Sequence, residues 1–211
     1  MNIHQSSIIT LNPGRFVEAV DFLINKDSIF HNIVDTYGIP KVNYRKPGFA
    51  TFLYLILEQQ VSLASAAAVY RKLFADSGKI TPEIFLSYTD RELKAFGFSR
   101  QKTEYCRLIA QSVKSEKLKL NSLAKLGDDE VRNILMQEKG IGKWTADNYL
   151  LFALRRADIW PRYDLALVKA VVELKRLRKT PDEKRFDKIA ETWKPWRSVA
   201  ARLLWHHYLS K

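Results

Sequence analysis

Cysteine is almost absent from this sequence. Cys106 is the only one in 211 residues, which excludes an internal disulfide framework, a four-cysteine zinc site and a cysteine-ligated iron–sulfur cluster. Long apolar runs are missing as well, since no segment approaches the roughly 20 consecutive apolar residues of a membrane span. The opening stretch MNIHQSSIITLNPGRF lacks the charged start and apolar run of a secretory leader. A cytoplasmic location and no membrane partner are therefore expected. Low-complexity stretches, internal repeats and long linkers are also lacking, so residues 1–211 are expected to form one globular unit. Acidic residues are in deficit, with 35 Lys and Arg against 23 Asp and Glu and a net charge of +12. An excess of that size on a chain with 46% hydrophobic residues, enough for a proper core, points to a polyanionic partner. Nucleic acid, an anionic lipid surface and no partner at all remain open on charge alone.

What is present is helical patterning. Phe49, Phe52, Leu53, Ile56 and Leu57 recur at i, i+3, i+4, i+7 and i+8, the signature of a strongly buried helical face. Helix-start chemistry separates the segments: Ser62 precedes LASAAAVYRKLF, Thr89 and Glu92 have capping-box spacing, and Ser99 precedes RQKTEYCRLIAQSV. Gly97 suits a helix C-terminus. Thr180, with Pro181 next and Glu183 three residues on, predicts another start. The expected class is all-α, with about ten helices.

The stretch EKGIGKWTADNYL carries the first functional signal. A helix from Asp128 is expected to end near Lys139, because Gly140 and Gly142 interrupt it, and a second to open near Lys143 with Ala146, Tyr149, Leu150, Ala153 and Leu154 on one face. Two helices joined by so tight a turn form a helix-hairpin-helix. The first N–H groups of the second helix carry the positive end of its dipole, so a phosphate fits there, with Lys143 adding charge. A plain glycine-rich αα-turn with a solvated lysine gives the same pattern. Asp164 lies 22 residues after Gly142 and opens the segment LALVKAVVEL. Aspartate is a common N-cap, and a carboxylate there is also favoured by the helix dipole.

Taken in order, GIGKWTADNYLLFAL followed by DIWPRYDLALVKAV resembles the helix-hairpin-helix and Gly/Pro-rich-loop-plus-aspartate signature of the DNA glycosylase superfamily. FLYLILEQQVSLASAAAVYRKL, GFSRQKTEYCRLIAQ and WKPWRSVAARLLW are similar to its 3-methyladenine DNA glycosylase II branch. The resemblance spans residues 48 to 205. It implies two helical lobes with a cleft between them: one of about residues 50–150, holding the hairpin at 128–154, and one of about 1–49 with 155–211. It describes a short form without the N-terminal α/β domain of the long members.

By the same resemblance Asp164 is the catalytic acid residue. Breaking an N-glycosidic bond builds positive charge on the sugar, which a fixed anion stabilises. A base alkylated on a ring nitrogen is already cationic and leaves readily, so one carboxylate suffices. Strand-cleaving members carry a nucleophilic lysine where this chain has Trp144, and an indole cannot replace an amine. Lys143 is adjacent but points about 100° away on a helix. Trp144 and Trp205 match positions that line the base pocket, where aromatic faces suit a flipped cationic purine. Tyr163 joins them by proximity and Asn148 by position. In LEQQVS, Gln60 is the expected wedge that fills the gap left by the flipped base, with Gln59 and Ser62 beside it. DNA contacts are expected from Gly140, Ile141, Gly142, Lys143 and Thr145, and Arg100, Lys102 and Arg197 are further candidates for phosphates. Some hairpins of the family hold a structural monovalent cation on main-chain carbonyls at positions corresponding to Met136, Glu138 and Ile141; no other cofactor is implied. Trp160, Trp193 and Trp196 are expected in the core. His206 and His207 point apart on a helix, and His4 and His31 lack ligand spacing.

The expected activity is excision of alkylated purines of the 3-methyladenine and 7-methylguanine type, by a monofunctional monomer acting on damaged duplex DNA, leaving an abasic site. A glycosylase for deaminated or oxidised bases, and a non-catalytic hairpin module that binds damaged or abasic DNA, are the alternatives.

Overall fold

The computed structural model describes residues 8–162 and 164–211. Among these the chain forms twelve α-helices and one 3-10 helix, with no strand and a single isolated β-bridge between Thr10 and Arg156. No helix is long and apolar enough to cross a membrane. The chain divides into two compact units, one of Arg45–Tyr149 and one of the N-terminal segment through Tyr44 with Leu150–Lys211.

The Arg45–Tyr149 unit is built on α3 (Phe49–Glu58), seven of whose ten residues are buried. Helices α4 (Leu63–Ser77) and α7 (Arg100–Lys114) pack on it. Phe52 stacks on Tyr149 at 4.0 Å and 12°, and the Tyr149 hydroxyl accepts the Gly48 N–H at 3.2 Å. Burial pushes that phenol up to about 12, only partly offset by the Gly48 bond. The expected caps are in place. Ser62 accepts the Ser65 N–H, Ser99 accepts the Lys102 N–H, and Thr89 and Glu92 close a reciprocal capping box at the start of α6 (Asp90–Phe96). Short elements raise the helix number above ten, among them α5 (Pro82–Ser87) and the 3-10 helix Leu120–Lys125.

In the other unit, α1 (Pro13–Lys26), α2 (Ser28–Tyr37) and α10 (Leu165–Leu174) surround α12 (Arg197–Leu209). Every residue of α12 from Ser198 to Leu204 is buried. Trp193 is fully buried between Phe30 and Trp160, and its indole N–H donates to Asp27 Oδ2 at 3.0 Å. Trp160 is equally core, whereas Trp196 is half-buried at the N-cap of α12. One predicted boundary is displaced. Helix α11 (Glu183–Glu191) is capped by Asp182, which accepts the Arg185 N–H at 2.8 Å, not by Thr180 with Pro181 at the first position. Both side chains are competent caps, and the carboxylate is the stronger acceptor.

Candidate functional site

In the Arg45–Tyr149 unit, the regular part of α8 (Asp128–Leu135) stops four residues before Lys139. Its last turn tightens through N–H bonds from Gln137 to Ile134 and from Glu138 to Leu135, three residues apart as in a 3-10 turn. Gly140 then takes φ +93°, and a Cβ on it would lie 2.4 Å from Tyr105 Cγ. Both facts exclude any side chain. Gly142 differs, since a Cβ there would meet nothing within 4 Å. It leaves open space at the start of α9 (Lys143–Phe152), where the first N–H groups of a helix have no intrahelical acceptor. Ile141, 4% exposed, anchors the turn in the core.

The hairpin is braced from three sides. Gln59 Nε2 donates to the Gly140 carbonyl and to Thr145 Oγ1, both at 2.9 Å. Arg132 Nε donates to buried Asp147 at 2.6 Å, tying α8 to α9. The buried Glu138 carboxylate accepts Ser112 Oγ at 2.7 Å and pairs with Lys117 at 3.3 Å. Among the hairpin cations, Lys139 is engaged by Glu104 at 2.6 Å, whereas Lys143 is exposed and forms no ion pair among the described residues. Of the carbonyls named for a cation, that of Glu138 accepts the Ile141 N–H at 3.1 Å and keeps a second lone pair. Met136 caps α8.

These contacts fix where several of the expected site residues point. Thr145 is 2% exposed with its hydroxyl turned to Gln59, so its side chain faces the hairpin's interior. Gln59 spends its amide on the same bonds. Asn148 is also 2% exposed, and its Nδ2 donates back to the Trp144 carbonyl at 2.7 Å. All three are polar side chains bonded within their own unit, Gln59 and Asn148 as donors and Thr145 as an acceptor, and burial makes such bonds hard to give up. Lys102 donates to the Leu57 carbonyl at 2.6 Å, and burial lowers its pKa. Gln60 is exposed, in the left-handed region at φ +58°, and is followed by exposed Val61 and Leu63. Ser62 is exposed while capping α4. Trp144 is half-buried on the first turn of α9.

In the other unit, Asp164 is the N-cap of α10. Its Oδ1 accepts the Ala166 and Leu167 N–H groups, each at 3.0 Å, and also Trp205 Nε1 at 3.1 Å. A cap requires only the first two bonds; the third comes from α12 and fixes the direction of the carboxylate. Trp205 is half-buried and stacks on Phe152 at 5.6 Å and 19°. Tyr163 lies outside the described residues. Arg197 is committed to Asp158, with Nε and Nη2 each 2.8 Å from a carboxylate oxygen. The sequence reading missed Phe152 and Arg202, whose guanidinium carbon lies 4.7 Å from the Phe152 ring centroid. The available signal was spacing: Arg202 lies one helical turn before Trp205. No group of three or more His, Cys, Asp or Glu among the described residues is placed to hold a metal ion.

The tight hairpin before α9 and the aspartate that opens α10 are the two marks of the resemblance. The family model for the HhH-GPD superfamily of base excision DNA repair proteins matches residues 53–195. The chain is a member of the HhH-GPD superfamily. DNA-3-methyladenine glycosylase 1 of Schizosaccharomyces pombe is 29% identical over 177 residues, covering 82% of this chain and 78% of the relative. DNA-3-methyladenine glycosylase of Bacillus subtilis is 28% identical over 80% of this chain and 57% of its own. The solved S. pombe 3-methyladenine DNA glycosylase in complex with abasic DNA superposes with a TM-score of 0.82 at 28% identity, over 89% of this HhH-GPD chain and 95% of that one. A Clostridium acetobutylicum 8-oxoguanine glycosylase/lyase shares the HhH-GPD fold at 16% identity, with a TM-score of 0.78.

Proposed function

We propose that this HhH-GPD protein is a monofunctional DNA glycosylase that excises alkylated purines from duplex DNA as a monomer in base excision repair. The observation that carries the reading is the Asp164 carboxylate, held by two backbone N–H groups and one indole N–H in a chain similar to 3-methyladenine glycosylases. The C1′–N bond of a ring-alkylated purine breaks with its electron pair leaving on the base, so the sugar becomes an oxocarbenium-like cation. Asp164 stabilises that charge and orients the water that adds to C1′. Trp205, bonded to the same carboxylate, offers an aromatic face to the extruded base. Trp144 offers an indole where strand cleavage would need an amine, so the product is an abasic site in an intact strand. The start of α9, with Lys143, binds backbone phosphate. Gln60 fills the gap in the duplex.

The test is single-turnover release of 3-methyladenine and 7-methylguanine from methylated duplex. Wild type releases free base and leaves heat-labile, uncut abasic sites. Asp164→Asn retains an oxygen able to cap α10, so it folds, yet its rate falls by about 100-fold or more. Undiminished release by that variant, or release only of oxidised or deaminated bases, defeats the proposal.

A further inference from the structure

The Trp205–Asp164 bond sits at one end of a stacked column that lies in one unit. From the far end, Arg155 lies with its guanidinium carbon 4.5 Å from the Tyr44 ring centroid, and Arg202 approaches the same ring at 5.2 Å. Arg202 is also 4.7 Å from the Phe152 centroid. Phe152 in turn stacks on Trp205, whose Nε1 donates to Asp164 Oδ1. Arg202 is 8% exposed, so water does little to weaken its attraction to either ring. A guanidinium is planar, stacks on aromatic faces and stays charged throughout the accessible pH range.

We infer that Arg202 and Phe152 are positioning residues that set the plane of the Trp205 indole and, through its N–H, the direction of the Asp164 carboxylate. Neither touches the reacting atoms. An indole can donate to a carboxylate oxygen only when that oxygen lies close to the plane of the ring, because the N–H vector lies in that plane. One stacking neighbour limits tilt but permits sliding, since offset aromatic pairs have a broad optimum. A charge behind Phe152, on the same helix as Trp205 and one turn before it, pins the neighbour itself. Lysine is a poor substitute because a point charge on a flexible stem has no plane to stack.

This inference rests on the catalytic reading of Asp164 for its consequence but not for its geometry, so two readouts are used. Hydrogen exchange of the indole N–H groups, followed by NMR, reads the geometry without catalysis. In Arg202→Met the Trp205 N–H exchanges faster, while the Trp193 N–H, bonded to Asp27 Oδ2, exchanges at the wild-type rate as internal control. Arg202→Lys gives the same direction if the methionine variant folds poorly. Single-turnover release from methylated duplex then falls about 10- to 100-fold, as a small misplacement of a reacting group costs, with the duplex Kd unchanged. Combined with Trp205→Phe, which keeps a ring but removes the donor, Arg202→Met adds no further loss. Unchanged Trp205 exchange in both variants, or rate losses that multiply in the double variant, overturns the inference. A wild-type protein that releases no base overturns the glycosylase reading instead, and the exchange rates still decide the column.

Discussion

Gly140 and Gly142 look alike in sequence and answer to different forces. Gly140 needs its left-handed backbone, and any Cβ would meet Cβ, Cγ and Cδ2 of Tyr105 between 2.4 and 2.7 Å. Those are near-backbone atoms of the tyrosine, which cannot swing aside as a flexible chain end does. Gly140→Ala therefore costs roughly 1–2 kcal/mol for backbone conformation and about 1–3 kcal/mol for overpacking. Gly142→Ala meets open space at an ordinary φ, so its stability stays within about 0.5 kcal/mol of wild type, while a methyl group obstructs a phosphate approaching α9. Urea denaturation with duplex titration separates the two: Gly140→Ala lowers the unfolding midpoint, and Gly142→Ala lowers affinity alone. Equal losses of stability would show that the turn, and not ligand access, explains both glycines.

At the scale of elements, the loop between α3 and α4 and the hairpin are joined by one side chain. Gln59 Nε2 bonds Gly140 and Thr145, while its neighbour Gln60 is exposed in the left-handed region. The two glutamines should therefore move stability in opposite directions. Gln59→Ala strands a carbonyl and a buried hydroxyl, for a loss of about 1–3 kcal/mol, and speeds amide exchange at Ile141. Gln60→Gly relieves a left-handed residue and raises the urea midpoint, while removing the side chain proposed to enter the duplex. A loss of stability in Gln60→Gly, or none in Gln59→Ala, reverses the assignment. The pair also marks where legibility ended. Ser62, Ser99 and the Thr89–Glu92 box were readable because cap and capped N–H lie within three residues of each other. The hairpin was readable because a positive φ leaves a glycine behind. The inward turn of Gln59 and Asn148, the column behind Trp205 and the choice of Asp182 over Thr180 depend on tertiary neighbours or on competition between equally competent residues, which no local pattern records.

For the whole molecule, the surplus of twelve positive charges is best judged by which cations stay uncommitted. Arg45 pairs with Glu58, Arg107 with Asp90, Arg132 with Asp147, Lys175 with Asp27 and Arg197 with Asp158. Such pairs neutralise themselves and hold the fold, and their cations gain little by meeting phosphate. Lys143 is exposed at the positive end of α9 without a carboxylate partner among the described residues, and Lys139, one turn of chain earlier, is held by Glu104. Duplex binding should therefore weaken linearly on a logarithmic salt scale, and Lys143→Ala should make that slope shallower by about 0.9, the contribution of one neutralised phosphate. Lys139→Ala should alter it less, because its charge is already compensated by Glu104. The loss from Lys143→Ala should be the same for methylated and unmethylated duplex, since phosphate contacts carry no base information. Titrations across salt with both duplexes check this: a slope unchanged by Lys143→Ala, or a loss confined to methylated DNA, would place the phosphate grip elsewhere than at the start of α9.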